Sequence, residues 1–555
     1  MPNSSDVSAR HWDAIVIGTG MGAATAGYAL AKAGKRVLFC EKGKSSLGQT
    51  GALRGGYAEQ FFARCEAPNS KHRDVLSRAG RYHSEIEDRS SGRSTKFIPF
   101  IGSTTGGSTA LYGMALERFF PCDFSPRQNY PDAPANALPQ RWPVSYDEFV
   151  PYYELAERLY RVRGGADGLR HDVKTQYRLP PSAVSPRGQE LFDFLQRKSL
   201  HPYRLPQACE FVAGCEGCQG YLCAKDCKND SARICLEPAL REFGAELLDE
   251  CEVVKLVATR HEVTAVECVQ RGQAITLRAD IVVLGAGALA TPKLLLDSAS
   301  PEWPNGLAND SGMVGRNLMR HHIDLYAVFT NSKQRTAGNP KEIAFNDFYL
   351  SDGKKFGSVQ SFGFLPPTPI IAASMAQDLH DGGMRWAVAP FNLIKPAVIP
   401  LLNWVFSRTT ILAAIMEDLP YPDNQVTVHR HPENGHGTRL SLAYTLRDYD
   451  KARVNAFRAM IGTALKPYRF MLIKQAENNQ RIAHVCGTCR FGLHSAESVL
   501  DGNNKAHGLS NLYIVDASFF PSSGGTNPAL TIAANALRVA ARLCGTAAIQ
   551  RQAMA

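Results

Sequence analysis

A glycine run near the start of the chain is the first group of residues that could do chemistry. Residues 18–23 spell GTGMGA; they follow an apolar stretch at 13–17 and precede an alanine-rich run. A second apolar stretch then ends at Glu41, 21 residues after Gly20. Strand, glycine turn, helix, strand and acid in this order form the βαβ unit that places phosphates at a helix N-terminus and the acid on a ribose. The spacing therefore predicts a dinucleotide site.

A cysteine cluster is the second such group. Six of the fourteen cysteines lie close together in the sequence: Cys209, Cys215, Cys218, Cys223, Cys227 and Cys235. A Cys-x-x-Cys pair followed by a second pair could hold zinc, but the gaps between pairs are far shorter than in ordinary zinc modules. The four-cysteine run of a ferredoxin is not reproduced either. A metal-free loop, an iron–sulfur cluster, a zinc ion and a disulfide therefore stay open at this point.

These residues lie in a chain whose composition is that of an ordinary globular protein. Its 555 residues are 44% hydrophobic and 21% charged, which excludes the collagen-like, coiled-coil and disordered classes. At roughly 150 residues per domain, the length indicates about three to four units or two large interleaved ones. The 62 basic and 52 acidic residues give a net charge of +10, and the basic residues are scattered. We therefore expect no nucleic-acid partner.

The residues before the first predicted strand bear on where the protein resides. They contain no apolar run like that of a secretory signal peptide. We therefore expect a cytoplasmic location, where cysteines are more often free, metal-binding or catalytic than disulfide-bonded.

The most apolar region of the chain spans about residues 386–416. Lys395, Pro396, Pro400 and Arg408 interrupt it, and only twelve residues separate the two charges. That length is too short for a membrane-spanning helix. We expect core strands or a buried helix here. The alternative is an apolar substrate wall or a membrane-touching surface, so that membrane contact is at most peripheral.

Five further segments carry distinctive motifs, the last of them a C-terminal block. They are TGGSTALYGM at 105–114, RWPVSYDE at 141–148, IVVLGAGA at 281–288, VGRNLM at 314–319, and a block joining HVCGTCRFG at 484–492, NLYIVDAS at 511–518 and FPSSGGTNPALTI at 520–532. Together with the glycine run, these motifs in this order resemble the glucose–methanol–choline (GMC) oxidoreductase family over nearly the whole chain. Residues of about 330–470 match it least. The WPVSY and NPALT segments are most similar to the branch of sugar and gluconate dehydrogenases, pyranose oxidases and bacterial sterol oxidases.

The resemblance implies an α/β fold in which a Rossmann-like FAD-binding domain is interleaved with an α+β substrate domain built on an antiparallel sheet. The FAD-binding domain would comprise residues 1–150, 230–330 and 480–555. The substrate-binding domain would comprise 151–229 and 331–479, with a cysteine-rich loop at 209–235.

A tightly held FAD is the cofactor that the resemblance implies. The residues it assigns to FAD are Gly18, Gly20, Gly22 and Glu41 along the ADP half, Val253 beside the adenine, Gly106, Gly107 and Ser108 along the pyrophosphate and isoalloxazine, Asp516 near the ribityl-pyrophosphate region, and Asn527 and Pro528 at the pyrimidine end.

The resemblance also implies the reaction. A hydride leaves an alcohol carbon for flavin nitrogen-5 while a base takes the hydroxyl proton. His484, in His-x-x-Gly-Thr, matches the family's catalytic histidine, and a neutral imidazole can take that proton. Asn527 stands at the second catalytic position and would hydrogen-bond the substrate oxygen and fix its angle to the flavin. His321 and His322 match positions that the family gives to core packing.

Within the family, some sugar dehydrogenases carry an iron–sulfur cluster where this chain has its cysteines. Their spacing matches Cys218, Cys223 and Cys227, which makes these three weak metal candidates. Other members keep cysteines here without metal, and we favour that interpretation. Residues 228–231, after Cys227, depart from the family's Gly-Ala-Lys, which puts the contact of this loop with substrate in doubt.

The predicted function is FAD-dependent oxidation of a small-molecule alcohol to a carbonyl. The branch resemblance favours a sugar or glycoside, whereas the apolar region would suit a sterol, aliphatic or aromatic alcohol. A non-redox lyase on the same fold is the alternative from another class. The electron acceptor would be oxygen, or a protein or quinone, and spacing does not decide between an oxidase and a dehydrogenase.

Overall fold

The computed structural model describes most of the chain. The described residues are 7–48, 51–64, 70–90, 94–134, 136–173, 177, 179–332, 341–351, 353–381, 384–430, 438–479, 482 and 484–545.

The strands, in chain order, are β1 (His11–Ile17), β2 (Val37–Cys40), β3 (Ile86–Asp88), β4 (Thr95–Phe97), β5 (Tyr203–Arg204), β6 (Glu246–Leu248), β7 (Cys251–Ala258), β8 (Val263–Gln270), β9 (Gln273–Leu284), β10 (His322–Phe329), β11 (Ile343–Phe345), β12 (Leu350–Ser351), β13 (Lys354–Lys355), β14 (Gly357–Ser361), β15 (Thr409–Met416), β16 (Gln425–Arg430), β17 (Thr438–Ala443), β18 (Phe470–Ile473) and β19 (Leu512–Ile514). The helices are α1 (Met21–Lys32), α2 (Ser70–Arg78), α3 (Tyr146–Leu159), α4 (Pro186–Arg197), α5 (Glu237–Glu242), α6 (Ala290–Asp297), α7 (Thr368–Asp381), α8 (Arg385–Phe406), α9 (Asp448–Ala464) and α10 (Ala529–Cys544).

A seven-stranded sheet carries the glycine run. Its order is β6-β2-β1-β9-β8-β7, and β19 pairs with β9. The strands β6, β2, β1, β19 and the second half of β9 are parallel, whereas β7, β8 and the first half of β9 are antiparallel. The parallel strands β1 and β2 are almost wholly buried, as their continuous apolar runs predict. Helices α1 and α10 pack together against them.

The predicted elements around the glycine run are confirmed. The strand expected at 13–17 is β1, the alanine-rich run forms α1, and the strand expected to end before Glu41 is β2. The motif at 141–148 leads into α3, where the Ser145 hydroxyl accepts from the Glu148 amide at 3.3 Å and the Glu148 carboxylate accepts from the Ser145 amide at 2.9 Å. This reciprocal capping box explains why the helix begins at that point.

A six-stranded antiparallel sheet lies beside the first, with the order β18-β10-β15-β14-β11-β5. A smaller sheet joins β16, β17, β3 and β4. The fold is therefore a mixed helix and sheet structure with a Rossmann-like part and an antiparallel part, as the sequence predicts.

The expectation of a buried core element across residues 386–416 is wrong for its larger part. Only its end, β15, is buried. The preceding residues form the 22-residue helix α8, in which no residue is buried. It is also the one helix among the described residues that is long and apolar enough to cross a membrane, with a mean hydropathy of 1.3. Apolar composition alone could not distinguish a core helix from an exposed one.

Candidate active site

The turn between β1 and α1 encloses an open space. An ideal Cβ on Gly18 would approach the Gly285 carbonyl oxygen to 2.5 Å, and one on Gly22 would approach the Val515 carbonyl oxygen to 2.0 Å. A Cβ on Gly20, by contrast, would meet nothing within 4 Å. Helix α1 begins just after Gly20, with no side-chain cap and no acidic residue in its first turn. Its backbone N–H groups therefore point to an open space that suits a phosphate group.

Glu41 lies at the end of β2, beside this turn. Its carboxylate accepts hydrogen bonds from the Thr19 hydroxyl at 2.5 Å and from the Gly43 amide at 2.9 Å. Burial, partly offset by these donors, raises the pKa of Glu41 to about 7. Strand β7 begins next to it, because the Cys251 amide donates to the Glu41 carbonyl at 2.9 Å, and the half-buried Val253 follows two residues later. Glu41 and Val253 are thus at the end of the site where an adenosine half would lie.

Gly106, Gly107 and Ser108 form the opposite wall of the turn. The first two have φ angles of 89° and 51°, in the left-handed region that favours glycine. The Gly106 amide donates to the Thr19 hydroxyl at 3.2 Å, and a Cβ on Gly107 would come within 2.9 Å of the Gly20 Cα. The structure therefore brings this segment directly onto the glycine run, and its contact with the phosphates of FAD stays a prediction.

Asp516, in the C-terminal block, hydrogen-bonds the glycine turn that follows β9 at residues 285–287. Its buried carboxylate accepts from the amides of Ser518 at 2.8 Å and Gly287 at 2.9 Å, and from the Thr291 hydroxyl. Burial, opposed by these donors, raises the pKa of Asp516 above its ordinary value. The carboxylate therefore fixes the start of α6 beside the open space.

These residues fit FAD. The site has the uncapped N-terminus of α1 and Gly20, whose Cβ would occupy the open space. It also has the buried carboxylates of Glu41 and Asp516. When bound, FAD accepts a hydride from the substrate carbon.

His484 and His321 are brought together by a short antiparallel pairing. Met319 and Cys486 exchange two backbone hydrogen bonds, each of 3.0 Å. His321, two residues after Met319, therefore lies opposite His484, two residues before Cys486, and both project from the same face. Their Nδ1 atoms are 2.9 Å apart and their rings are inclined at 84°.

The hydrogen bonds of His321 determine which nitrogen of His484 carries the proton. The Gly524 carbonyl oxygen lies 2.9 Å from His321 Nε2 and can only accept, so that nitrogen is the donor. A neutral His321 then has an unprotonated Nδ1, which accepts from Nδ1–H of His484. This assignment leaves His484 Nε2 unprotonated, with its lone pair available to a substrate hydroxyl.

The electrostatics keep both imidazoles neutral. Burial lowers the pKa of His484 well below its ordinary value, and the positive charge of Lys341, together with that of His321 whenever His321 is protonated, lowers it further. Burial also lowers the pKa of His321 to about 4 and that of Lys341 to about 8. His484 has a φ of 58°, a left-handed conformation that is uncommon outside glycine and is concentrated at functional sites.

Asn527 is held by a reciprocal amide pair. Its Nδ2 donates to Gln360 Oε1 at 3.0 Å, and Gln360 Nε2 donates to Asn527 Oδ1 at 3.3 Å. Pro528 follows at the N-cap of α10, whose first turn has neither a side-chain cap nor an acidic residue. The first amides of α10 therefore have no side-chain cap and can donate to a ligand.

The loop that leads to Asn527 is fixed by buried polar groups from distant parts of the chain. These bonds run from Trp142 Nε1 to Ser522 Oγ (2.8 Å), from the Gly524 amide to Glu417 (3.0 Å), from the Gly525 amide to the Tyr349 hydroxyl (2.9 Å), and from the Thr526 hydroxyl to Glu117 (2.9 Å). The same loop carries the Gly524 carbonyl that orients His321, so one segment positions both candidate catalytic side chains.

Sequence reasoning missed three side chains at this site. The family resemblance gives the position of His321 to core packing, although its place just after the VGRNLM motif is a signal that points to it. Gln360 and Lys341 lie where the chain least resembles the family, so no motif pointed to them. His322, in contrast, has its Nε2 3.3 Å from Asp418 in the core, which agrees with a packing role.

The sulfurs of the cysteine loop lie close together in two overlapping groups. Cys209, Cys215 and Cys227 have their sulfurs within 4.8 Å of one another, and Cys223 lies 3.6 Å from Cys227. Cys218 pairs with Cys223 instead. Of the three candidates from the sequence, only Cys227 belongs to the group of Cys209, Cys215 and Cys227. The thirteen described cysteines are all free thiols, and whether the loop binds metal stays a prediction.

The fold and site define a flavin-dependent oxidoreductase. Family models for GMC oxidoreductases match residues 207–323 and 420–536, and a model for an FAD binding domain matches residues 13–76. The chain belongs to the GMC oxidoreductase family, and it is an FAD-dependent enzyme acting on alcohol donors.

Characterised relatives resemble the chain over most of its length. The 6'''-hydroxyparomomycin C oxidase of Streptomyces lividus is 29% identical, covering 100% of this chain and 94% of the relative. The paromamine 6'-oxidase of Streptomyces fradiae is 27% identical, with 97% and 92% covered. The 2-methyl-1,2-propanediol dehydrogenase of Mycolicibacterium austroafricanum is 26% identical, with 79% and 80% covered. Among solved structures, a pyridoxine 4-oxidase from Mesorbium loti shares the fold, with a TM-score of 0.61, 20% identity, and 96% of this chain and 99% of that chain covered.

Proposed function

We propose that the protein oxidises a CH–OH group of a sugar or glycoside to the carbonyl. The observation that carries this proposal is the polarity of the groups around His484. The protonated Lys341 lies close enough for its charge to lower the pKa of His484, and Gln219 Oε1 is buried without a hydrogen-bond partner among the described residues. An ideal Cβ on Gly113 would lie 2.6 Å from that oxygen and 2.7 Å from Lys341 Nζ, so both groups converge. A substrate hydroxyl could donate to Gln219 Oε1, whereas an aliphatic alcohol with no further hydroxyl would leave this buried oxygen unpaired.

The residues of the chain divide the work of the reaction. His484 Nε2 takes the hydroxyl proton, because its tautomer and low pKa leave that nitrogen unprotonated. Asn527 hydrogen-bonds the same oxygen and holds the carbon in a fixed orientation. These hydrogen bonds strengthen as negative charge develops on oxygen, which favours the transition state over the ground state.

The relatives support the choice of substrate class. Two of them are named for paromamine and a hydroxylated paromomycin, which are sugar-like, and a fructose dehydrogenase large subunit from Gluconobacter japonicus is 23% identical. Oxidation of a hydrophobic alcohol is the second candidate, and the long-chain-alcohol oxidase FAO4B of Arabidopsis thaliana, 23% identical, favours it. A non-redox lyase is the alternative from another class.

The acceptor and the location belong to the same proposal. Electrons would pass to oxygen or to a protein or quinone, and the relatives include both oxidases and dehydrogenases. A cytoplasmic location is supported by the free thiols of the thirteen described cysteines, because disulfides are rare in that compartment.

Anaerobic flavin reduction by a panel of alcohols tests the proposal. We expect sugars or glycosides to bleach the flavin faster than benzylic alcohols, long-chain alcohols or sterols at equal concentration. Reduction by the apolar alcohols alone would move the substrate to the second candidate. If no alcohol reduces the flavin, a lyase assay on cyanohydrins becomes the next measurement and the oxidation proposal fails. Re-oxidation with oxygen or a quinone analogue then identifies the acceptor.

A further inference from the structure

The antiparallel helices α7 and α8 form a hairpin with an unusual exposed surface. Among the described residues, eight of the seventeen exposed large hydrophobic side chains belong to this hairpin and its root. They are Phe364, Met375, Met384, Trp386, Leu393, Ile394, Leu401 and Trp404. Leu393 is 82% exposed and Trp386 is 78% exposed, the highest values of the group. A soluble surface rarely concentrates apolar side chains in this way without a partner.

The hairpin is attached to the body through α7. Ala372 of α7 is fully buried, and Asp378 accepts from Asn478 Nδ2 at 3.2 Å. The Thr368 hydroxyl donates to Asn403 Oδ1 at 2.9 Å and so joins the root of α7 to the C-terminal end of α8. Helix α8 packs on α7 and yet buries none of its own residues. It is therefore the outer layer of the hairpin.

The composition of α8 suits a lipid bilayer better than a protein partner. Outside its contact with α7, α8 exposes a mostly apolar surface that is interrupted by Arg385, Asn392 and Lys395. This mixture suits a helix that lies at the surface of a bilayer. Trp386 and Trp404 stand near its two ends and are 78% and 53% exposed. In a helix that lies flat, both indole rings can reach the headgroup level, where tryptophan is enriched. The other three tryptophans of the chain are buried.

The charges on the helix favour an anionic surface. Residues 385–408 include Arg385, Lys395 and Arg408 and no acidic residue. Basic side chains beside an apolar surface attract anionic headgroups. Lys395 lies halfway along α8, where a charge is costly in a spanning helix but can reach the headgroups from a helix lying flat. The three prolines inside α8 also interrupt its hydrogen bonds.

We propose that the α7–α8 hairpin docks the protein onto an anionic phospholipid bilayer, with α8 lying in the boundary between headgroups and acyl chains. The hairpin root borders a cavity of about 340 Å³ that is lined by Phe364, Leu365 and Pro367, and by Gln219 of the proposed substrate region. Docking therefore places the mouth of this cavity beside the membrane. The inference does not depend on which alcohol is oxidised.

Tryptophan fluorescence of the holoprotein tests the docking directly. Vesicles of phosphatidylcholine with phosphatidylglycerol should blue-shift the emission, and brominated acyl chains should quench it, since only Trp386 and Trp404 are exposed. The Trp386→Phe/Trp404→Phe double variant should lose the response while still sedimenting with vesicles. Vesicles of phosphatidylcholine alone should bind more weakly, and salt should reduce binding to the anionic vesicles.

A second pair of variants provides the matched comparison. Leu393→Ser/Ile394→Ser removes exposed apolar surface from α8 and should lower vesicle binding at least about tenfold. Leu350→Ser/Leu493→Ser removes similarly exposed side chains elsewhere and should bind like the unmodified protein. The proposal is wrong if the anionic vesicles neither quench nor sediment the holoprotein. It is also wrong if the protein is a stable dimer that Leu393→Ser/Ile394→Ser dissociates, because a second copy then covers the helix.

Discussion

His321 and His484 are joined through their Nδ1 atoms, 2.9 Å apart, and His321 is joined in turn to the Gly524 carbonyl at 2.9 Å. The Gly524 carbonyl can only accept a hydrogen bond, and it therefore fixes the positions of the protons on both imidazole rings. The consequence appears at the far end, where Nε2 of His484 is left as the base. A backbone carbonyl on the loop that carries Asn527 thus determines the protonation of the other candidate catalytic residue.

The first prediction concerns His484→Ala. The variant should keep yellow, bound FAD but lose flavin reduction by roughly two to four orders of magnitude, since a positioned general base contributes about that much. Anaerobic stopped-flow spectroscopy measures the rate. His494→Ala, at an exposed histidine of the same segment, is the control and should reduce normally. Near-normal bleaching in His484→Ala would remove His484 from its assigned role.

The second prediction separates positioning by His321 from simple packing. His321→Asn can keep a hydrogen-bond acceptor near the position of Nδ1, whereas His321→Leu cannot. We expect His321→Leu to reduce the flavin at least about tenfold more slowly than His321→Asn, because only the latter holds the required tautomer of His484. If His321 merely fills space, the leucine variant should match or exceed the asparagine variant.

The pH dependence of flavin reduction gives a second test of the role of His321. Neutral His484 is the active form. The rate of flavin reduction should therefore be maximal above the pKa of His484 and should decrease as the pH falls through that pKa. Burial and His321 together hold that pKa well below the ordinary value of about 6.5. In His321→Asn no second positive charge can form beside His484 at low pH, so the acid limb should move to higher pH. An unmoved limb would show that His321 does not influence the protonation of His484.

The third prediction concerns Asn527→Ala. Asn527 orients the substrate oxygen and takes no proton, so the variant should reduce flavin about a hundredfold more slowly with an unchanged acid limb. Asn503→Ala, at an exposed asparagine, should behave like the unmodified protein. A shifted limb in Asn527→Ala would indicate that the residue alters the base rather than the substrate.

Local patterns were sufficient to predict the βαβ unit and the segments that form the cradle. The apolar runs of β1 and β2 and the glycines between them depend on neighbouring residues only, and the structure reproduces them. The contact of Gly107 with Gly20 was foreseeable because both occur in motifs of one family.

Contacts between distant segments were not predictable from these patterns. The pairing of Met319 with Cys486, which brings His321 to His484, joins segments more than 160 residues apart. The amide pair of Gln360 and Asn527 likewise depends on how β14 meets the loop before α10. The exposure of α8 could not be deduced either, since burial is a property of the packed chain and not of the apolar run itself.

The fourth prediction concerns the cysteine loop. We expect the holoprotein as isolated to carry FAD without stoichiometric iron or zinc, because the cysteine spacing reproduces neither an ordinary zinc module nor the four-cysteine run of a ferredoxin. The sulfurs of Cys209, Cys215 and Cys227 lie close enough to share an ion, so the metal content tests this interpretation directly. Elemental analysis and the visible spectrum measure this. One metal ion or one cluster per FAD, lost together in Cys215→Ser and Cys227→Ser, would contradict the metal-free interpretation and identify the ligands.

The fifth prediction uses two neighbouring glycines to separate cofactor binding from folding. Gly20 has a φ of −66°, which alanine adopts readily, and its Cβ would meet no protein atom within 4 Å. Gly20→Ala should therefore leave the melting temperature of the apoprotein unchanged and weaken FAD binding at least about tenfold, since the methyl group enters the space of the phosphates. Gly22→Ala is the matched comparison, because its Cβ would lie 2.0 Å from the Val515 carbonyl oxygen. That variant should destabilise the apoprotein itself by about 1–3 kcal/mol or more. Equal FAD affinity in Gly20→Ala and the unmodified protein, measured by fluorescence titration of the apoprotein, would show that the phosphates do not lie over Gly20.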